Sequence, residues 1–252
     1  MGIEVSAAKA VTINDQHENG VDTSVAGTPY RARFQGMPLL HVFSRNQRGQ
    51  RRDDGNPLIH ALKGRRGFSI LPFWKSQLMA RARLILEAPH ADLEKFDFVL
   101  PLPSSSPFCA EFAAMVSDVS GTPILEPTFL RKRTVGEVLA EAKANPPARM
   151  SPRQRSVWGS QMHAWEGTNP DAIFQAKDTE IVLRPFFRAF AVDGEGPDLT
   201  QTRVLVVDDI FATGSSLASA RDILENGFGA SIAAIGAVSL TRTALHMMHA
   251  GL

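Results

Sequence analysis

The sequence predicts an α/β fold built on a parallel sheet, and three observations carry that expectation. Arg203-Val-Leu-Val-Val207 is an unbroken aliphatic run, as expected of a strand buried on both faces. A helical stretch over 215–226 and a second apolar run over 231–238 follow it, giving strand, helix, strand in succession. Upstream, a short apolar run over 96–100 leads into a helix over 108–119, which repeats the pattern.

In chain order, residues 1–28 are polar, rich in small residues and without a sustained period, so they are expected to form a mobile arm or a loosely attached strand. Residues 29–90 are expected to be a strand and helix extension. Arg31-Ala-Arg-Phe34 and Pro38-Leu-Leu-His-Val-Phe43 look like two strands separated by Gly36, and 46–56 like a charged loop with Arg48, Arg51 and Arg52. A short helix starts at Leu58 and is interrupted by Gly64 and Gly67. From 71 to 86, Trp74, Leu78, Met79, Ala82, Ile85 and Leu86 recur at three- and four-residue steps, the mark of an amphipathic helix.

The core is expected over 91–245. Its first strand ends in Pro101-Leu-Pro103, and Ser104-Ser-Ser-Pro107 supplies a serine cap and a proline suited to a first helical turn. Gly121-Thr122 stops that helix, and 123–125 is expected to be the next strand. Residues 131–178 are polar and basic with Pro146-Pro147 in the middle, an insertion with helical pieces. Residues 180–192 are expected to pair as a strand before a turn at 193–197.

Bulk properties exclude several classes. A length of 252 residues exceeds the commonest domain size of roughly 100–150, which suits one enlarged domain or a domain with an extension. The formal net charge of +1 provides no overall field to select a nucleic acid or a membrane. Cys109 is the lone cysteine, which rules out an internal disulfide and a cysteine-cluster zinc site. No apolar run approaches the ~20 residues that span a bilayer, and 1–19 lacks the apolar core of a signal peptide. A soluble, cytoplasmic protein is the expectation.

The chemistry concentrates in Val204-Leu-Val-Val-Asp-Asp-Ile-Phe-Ala-Thr-Gly-Ser-Ser-Leu217. Asp208 and Asp209 would emerge at the carboxyl end of a parallel strand, where ligands of open α/β sheets sit. The loop Ala212, Thr213, Gly214, Ser215 and Ser216 precedes a helix start, whose N–H groups and dipole attract an anion. Gly214 lets the backbone approach, and the three hydroxyls add donors. Carboxylates do not favour a bare phosphate; they suit sugar hydroxyls or a metal. Together these parts specify a ligand carrying both a phosphate and a diol, a ribose 5-phosphate unit. The bland alternative is a Rossmann-like strand whose acid pair caps the sheet or binds a metal alone.

This segment resembles the 5-phosphoribosyl-1-pyrophosphate (PRPP) signature of type I phosphoribosyltransferases. The resemblance implies a parallel-sheet phosphoribosyltransferase core with an inserted hood or lid and an N-terminal extension. It implies that Asp208 and Asp209 hold the ribose 2′ and 3′ hydroxyls and that 212–216 cradles the 5′-phosphate. One departure stands out: Ala212 replaces the first threonine of the usual pair, which removes a hydroxyl worth about 1 kcal/mol but keeps the backbone donor. Members of the fold bind pyrophosphate after the first core strand, the place of Ser104 and Ser105, although a plain helix cap uses serine too. A further resemblance is to the competence-protein-F (ComF) branch, through Leu58-Ile-His-Ala-Leu-Lys-Gly64 and the basic runs Leu130-Arg-Lys-Arg-Thr134 and Arg149-Met-Ser-Pro-Arg-Gln-Arg155. The cysteine-rich zinc module frequent in that branch is absent, and its Arg-Gly-Phe-Asn-Gln run has no counterpart.

PRPP carries several negative charges, so cations must help. The expectation is Mg²⁺ held mainly by ligand oxygens near Asp208 and Asp209, with Arg131, Lys132 and Arg133 on the pyrophosphate; a solvated surface is the ordinary fate of such a basic run. Arg45, Arg48, Arg51, Arg52, Lys63, Arg65 and Arg66 have the same two readings. The implied reaction transfers the phosphoribosyl group to a nucleobase-like or amine acceptor under a lid formed by the insertion. Two alternatives stay open: a non-catalytic PRPP or nucleotide sensor, and a nucleic-acid-handling protein, the latter disfavoured by sparse aromatic interleaving. A homodimer is compatible with either. Cys109, near a helix start, could have a lowered pKa or be a small core residue. Trp158 and Trp165 could cover a base or simply pack. His41, His60, His163, His246 and His249 show no metal-ligand spacing.

Overall fold

Short alternations of buried and exposed residues make strands of the segment expected to be loose. The computed structural model describes residues 1–17, 19–26, 30–46, 56–88, 93–211 and 214–239. Within 1–28 it has β1 (Gly2–Val5), β2 (Ala10–Asn14) and β3 (Gly20–Asp22), so of the two expectations the segment takes the strand and not the mobile arm. Ile3, Val11, Ile13 and Val21 are buried there. Only β2 and β3 alternate, and strands so brief leave no period-two pattern that stands out. Arg81, far along the chain, ties the segment down by donating to Asp15 at 2.7 Å and Thr23 at 3.2 Å.

β4 (Tyr30–Phe34) and β5 (Met37–Asn46) are the two strands expected around Gly36. Gln35 and Gly36 have φ of 49° and 86°, the positive pair that a two-residue hairpin turn needs. Then come α1 (Pro57–Leu62), β6 (Ser69–Ile70), α2 (Pro72–Leu86), β7 (Phe98–Pro101) and α3 (Phe108–Ser120). Next are β8 (Leu130–Lys132), α4 (Val135–Ala144), α5 (Pro152–Glu166) and β9 (Phe190–Val192). The described chain ends with β10 (Arg203–Phe211), α6 (Ser215–Arg221) and β11 (Ser231–Ser239).

The chain forms two compact units. The first comprises residues 1–126, 201–213 and 230–252 and holds the main sheet, in the order β3-β5-β11-β10-β7. β5, β11, β10 and β7 run parallel, as the α/β expectation requires. β3 and β4 pair antiparallel with β5. β5 therefore belongs to the sheet itself, not to an extension over 29–90. Its buried Leu39, Leu40, Val42 and Phe43 form the near-continuous apolar run of a strand covered on both faces. The segment 123–125 is reduced to a single parallel bridge, Ile124 with Val99. β1, β2 and β6 make a small separate sheet. Phe108, Phe112 and Val116 of α3 join Leu78, Ile85 and Leu86 of α2 in the core with Leu205 and Val207 of β10.

The second unit comprises residues 127–200 and 214–229, longer than the insertion expected over 131–178. β8 and β9 form an antiparallel ribbon. Capping boxes start two of its helices: Thr134 with Glu137 at α4, and Ser151 with Gln154 at α5. The strand expected over 180–192 is instead a 3₁₀ segment, Ile181–Phe186, followed by β9. Pro185 lies inside it and cannot donate to a ladder. Trp165 packs edge-on against Phe174 and Phe187, and Trp158 stacks on Phe187, so both tryptophans serve the packing of this unit. α6 continues as π-helical turns over Asp222–Gly227.

Candidate functional site

The main sheet reverses its winding between β7 and β10. After β7 the chain goes to Ile124 on the outer side, whereas after β10 it goes to β11 on the inner side. Such a reversal opens a crevice beyond the carboxyl ends of the two strands, where α/β sheets bind their ligands. The register sets Val207 opposite Pro101, and the Leu102 N–H donates to the Val207 carbonyl at 2.9 Å. The acid pair therefore lies just past the end of β7 and beside the loop that leaves it.

β10 itself continues beyond the pair to Phe211, longer than the run to Val207 that the aliphatic stretch suggested. Gly236 of β11 faces Asp208 in register, and a Cβ there would meet the Phe211 ring at 2.5 Å. The glycine thus makes room for the ring at the end of β10. Adjacent strand residues point to opposite faces, and the two acids differ accordingly. Asp208 is half-buried, and its carboxylate accepts the Asp209 N–H at 2.8 Å. Asp209 is buried, and its Oδ2 lies 2.6 Å from Lys63 Nζ. The side chains of Lys63 and Asp209 are 12% and 3% exposed, so this is an ion pair nearly out of water.

The serine loop meets the same carboxylate. Ser104 Oγ donates to Asp209 Oδ2 at 3.4 Å across a sequence separation of 105 residues. Ser104 Oγ also accepts the Ser106 N–H at 3.2 Å, and Ser106 Oγ accepts the Phe108 N–H at 3.4 Å, which shapes the loop as it enters α3. Ser105 Oγ accepts from Arg65 at 2.5 Å.

Lys63 and Arg65 stood in the sequence among basic residues with two readings, Lys63 also within the Leu58–Gly64 run, and neither was placed beside the acid pair or the serine loop. Local structure explains how they arrive. α1 ends in a Schellman arrangement, with Gly64 at φ 60°, its N–H on the Ala61 carbonyl at 3.2 Å and the Arg65 N–H on the His60 carbonyl at 2.8 Å. That cap fixes the backbone carrying both cations. The signal was present as Lys63-Gly64 at the end of a short apolar run, the ordinary sign of a helix stop.

Burial decides the state of Cys109. Removal from water pushes its thiol far above the ordinary range, and the Asp208 and Asp209 carboxylates add to this. The helix start that would lower it loses. Its Sγ lies 3.5 Å from the Val207 carbonyl and 3.6 Å from that of Leu102, so it packs behind the acid pair as a small core residue.

Of the other expected site residues, Gly214, Ser215, Ser216, Arg131 and Lys132 belong to the second unit. Gly214, with φ 74°, caps α6, and Ser215 and Ser216 form its first turn; Ala212 and Thr213 lie outside the described residues, as do Arg48, Arg51, Arg52, His246 and His249. Arg131 in β8 is engaged by Glu137, with nitrogen to oxygen distances of 2.9 and 2.5 Å. Arg133 pairs with Glu141, and Lys132 is half-buried between them. Among the described residues, no group of three or more His, Cys, Asp or Glu side chains is placed to hold a metal, and no helix is long and apolar enough to cross a membrane.

No family model matches the sequence, and no curated protein matches it. The solved structures that the chain resembles include three adenine phosphoribosyltransferases. The one from Saccharomyces cerevisiae, complexed with an imino-altritol bisphosphate and adenine, is 18% identical with a TM-score of 0.34, over 68% of this chain and 70% of that one. Those from Leishmania tarentolae and Leishmania donovani are each 12% identical with a TM-score of 0.38, over 96% of this chain and 98% and 90% of theirs. At such TM-scores the likeness carries no weight for function, which must be argued from this chain's own sheet order and side chains.

Proposed function

We propose that this chain is a phosphoribosyltransferase-like protein that binds PRPP at the carboxyl ends of β7 and β10. It would transfer the phosphoribosyl group to a nitrogenous acceptor and release pyrophosphate. The observation that carries the proposal is the meeting of Asp209 with Ser104 at the sheet reversal. A carboxylate suited to sugar hydroxyls and a hydroxyl-rich loop suited to an anion thereby share one crevice. The reading of 212–216 as the 5′-phosphate cradle rests on its resemblance to the PRPP signature.

The roles follow from charge and reach. Asp208 and Asp209 hold the ribose diol, and Ser104 and Ser105, with the N-terminal end of α3, face the diphosphate. Arg131 is not called upon, because Glu137 already takes both of its terminal nitrogens. Loss of the diphosphate leaves C1 of the ribose with oxocarbenium character, as in glycoside chemistry. The leaving group needs its charge neutralised, which bound Mg²⁺ supplies; the half-buried Asp208 carboxylate suits a hydrated ion better than the lysine-paired Asp209. Holding sugar and phosphate in fixed places contributes much of the rate. The nitrogen lone pair of the acceptor forms the new bond to C1 as the C1–O bond to diphosphate breaks.

The test is PRPP-dependent pyrophosphate release in the presence of Mg²⁺ and a panel of nucleobases. Asp208→Asn is expected to abolish it while circular dichroism stays unchanged. Release that persists in Asp208→Asn would overturn the assignment of the acid pair. Tight PRPP binding with no release for any base would assign a sensor instead of an enzyme.

A further inference from the structure

We infer that Lys63 and Arg65, held on the turn after α1, form the cationic side of the diphosphate subsite, and that Lys63 latches Asp209 until a diphosphate draws it away. The inference rests on the PRPP reading of this site and adds to it a source of positive charge and an order of events.

The crevice needs a cation from the first unit. Serine hydroxyls and a helix start provide only partial positive charge, while two carboxylates stand beside them. Lys63 and Arg65 supply two full charges at that place. Each touches one half of the expected site: Lys63 on Asp209 at 2.6 Å and Arg65 on Ser105 at 2.5 Å. The two are spaced by Gly64, whose left-handed backbone turns the chain between them. Arg65 thus reaches the serine loop itself, so an anion on Ser105 meets a guanidinium fork, the geometry that suits phosphate oxygens. The turn is well braced. Lys9 donates to the Arg66 carbonyl at 3.0 Å, and the Phe68 N–H donates to the Arg65 carbonyl at 3.0 Å.

The latch follows from competition for one carboxylate. Asp209 Oδ2 is occupied by the Lys63 ammonium, and a sugar hydroxyl would compete for the same carboxylate. A nearly buried ion pair is not given up to a neutral hydroxyl without compensation, because each charge would lose its partner in a poorly solvated place. A diphosphate provides the compensation. Its oxygens take the ammonium and leave Asp209 available to the diol. A ligand with a diol but no diphosphate has no such means.

Titration calorimetry with Mg²⁺ and three probes, pyrophosphate, ribose 5-phosphate and PRPP, tests this on the full chain. Lys63→Gln and Arg65→Gln are each expected to weaken pyrophosphate by at least about tenfold, the worth of one charged hydrogen bond. Ribose 5-phosphate should be unchanged in Arg65→Gln and tighter in Lys63→Gln, because Asp209 is unlatched. That opposite sign separates the latch from a general loss of positive field. Pyrophosphate bound equally by wild type and both variants overturns the inference and leaves the PRPP reading intact, as does ribose 5-phosphate weakened in step with pyrophosphate. Lys63-dependent pyrophosphate binding without ribose 5-phosphate or PRPP binding in any form removes the PRPP reading and leaves the diphosphate subsite. Binding of none of the three to wild type overturns both. If Lys63→Gln does not fold, Lys63→Gln with Asp209→Asn restores a neutral amide pair for the pyrophosphate measurement, and Arg65→Gln supplies an independent variant.

Discussion

Two basic stretches of this chain look alike in sequence and differ in what their charges touch. In residues 131–133, the arginines are taken by acids of the helix that follows, Arg131 by Glu137 and Arg133 by Glu141. In residues 63–66, the next acid along the chain is Glu87, and Lys63 reaches instead to Asp209 on a distant strand. A basic run followed by glutamates at helical spacing neutralises itself at the surface. One that ends a helix at glycine, with no acid nearby in sequence, delivers its charge elsewhere.

The sharpest way to break that contrast is to remove each cation and follow stability. Lys63→Met leaves the buried Asp209 carboxylate without its ammonium and is expected to cost about 3 kcal/mol, near the low end for breaking a buried pair because Lys63 keeps some solvent contact. Adding Asp209→Asn should recover most of it. Urea denaturation midpoints read both changes. A midpoint for Lys63→Met that matches wild type would mean the pair is far better solvated than its burial implies. Arg131→Met, by contrast, is expected to leave pyrophosphate affinity unchanged, since that charge is already committed to Glu137; a clear loss in calorimetry would return Arg131 to the diphosphate.

The same contrast shows which parts of the molecule can be read from sequence. β10, β11 and α3 were legible because long apolar runs and a clean helical period are local signals. β1 to β3 were not, because strands of three to five residues with polar outer faces barely exceed the noise of composition. The place of β5 was hidden for another reason. Which strands neighbour one another is a long-range property, and the parallel pairing of β5 with β11 joins opposite ends of the chain. The acid pair and serine loop were legible as motifs in the right order around strands and helices. The pairing of Lys63 with Asp209 was not, since no spacing rule links a helix end to a strand so far away.

A smaller effect isolates the turn that carries Lys63 and Arg65. Gly64 has φ 60°, and a Cβ placed on it meets nothing within 4 Å. Gly64→Ala therefore adds no clash and costs only the left-handed backbone, about 1 kcal/mol. Pyrophosphate affinity should fall with it if the cap is what aims Lys63 and Arg65, and the paired measurement is a urea midpoint with calorimetry on the same sample. A stability loss with undiminished pyrophosphate affinity would show that the two side chains find their places without the cap.

The smallest effect lies in the self-neutralised stretch and is read by pH. The Arg131 guanidinium, helped by the Thr134 N–H, holds the Glu137 carboxyl down to about 2 from its ordinary 4.5. A carboxyl depressed in the folded state adds stability that is fully present above about 4.5 and is lost as pH falls toward about 2. Both side chains are more than one-third exposed, so water and salt screen the pair and its share of total stability is slight. Carbon-detected NMR titration of the Glu137 carboxyl should nonetheless show the low midpoint in wild type and a rise toward the ordinary value in Arg131→Met. A midpoint already ordinary in wild type would mean that Arg131 is not held by Glu137 in solution. Its charge would then be available in the way that sets Lys63 apart, and the distinction between the two basic stretches would dissolve.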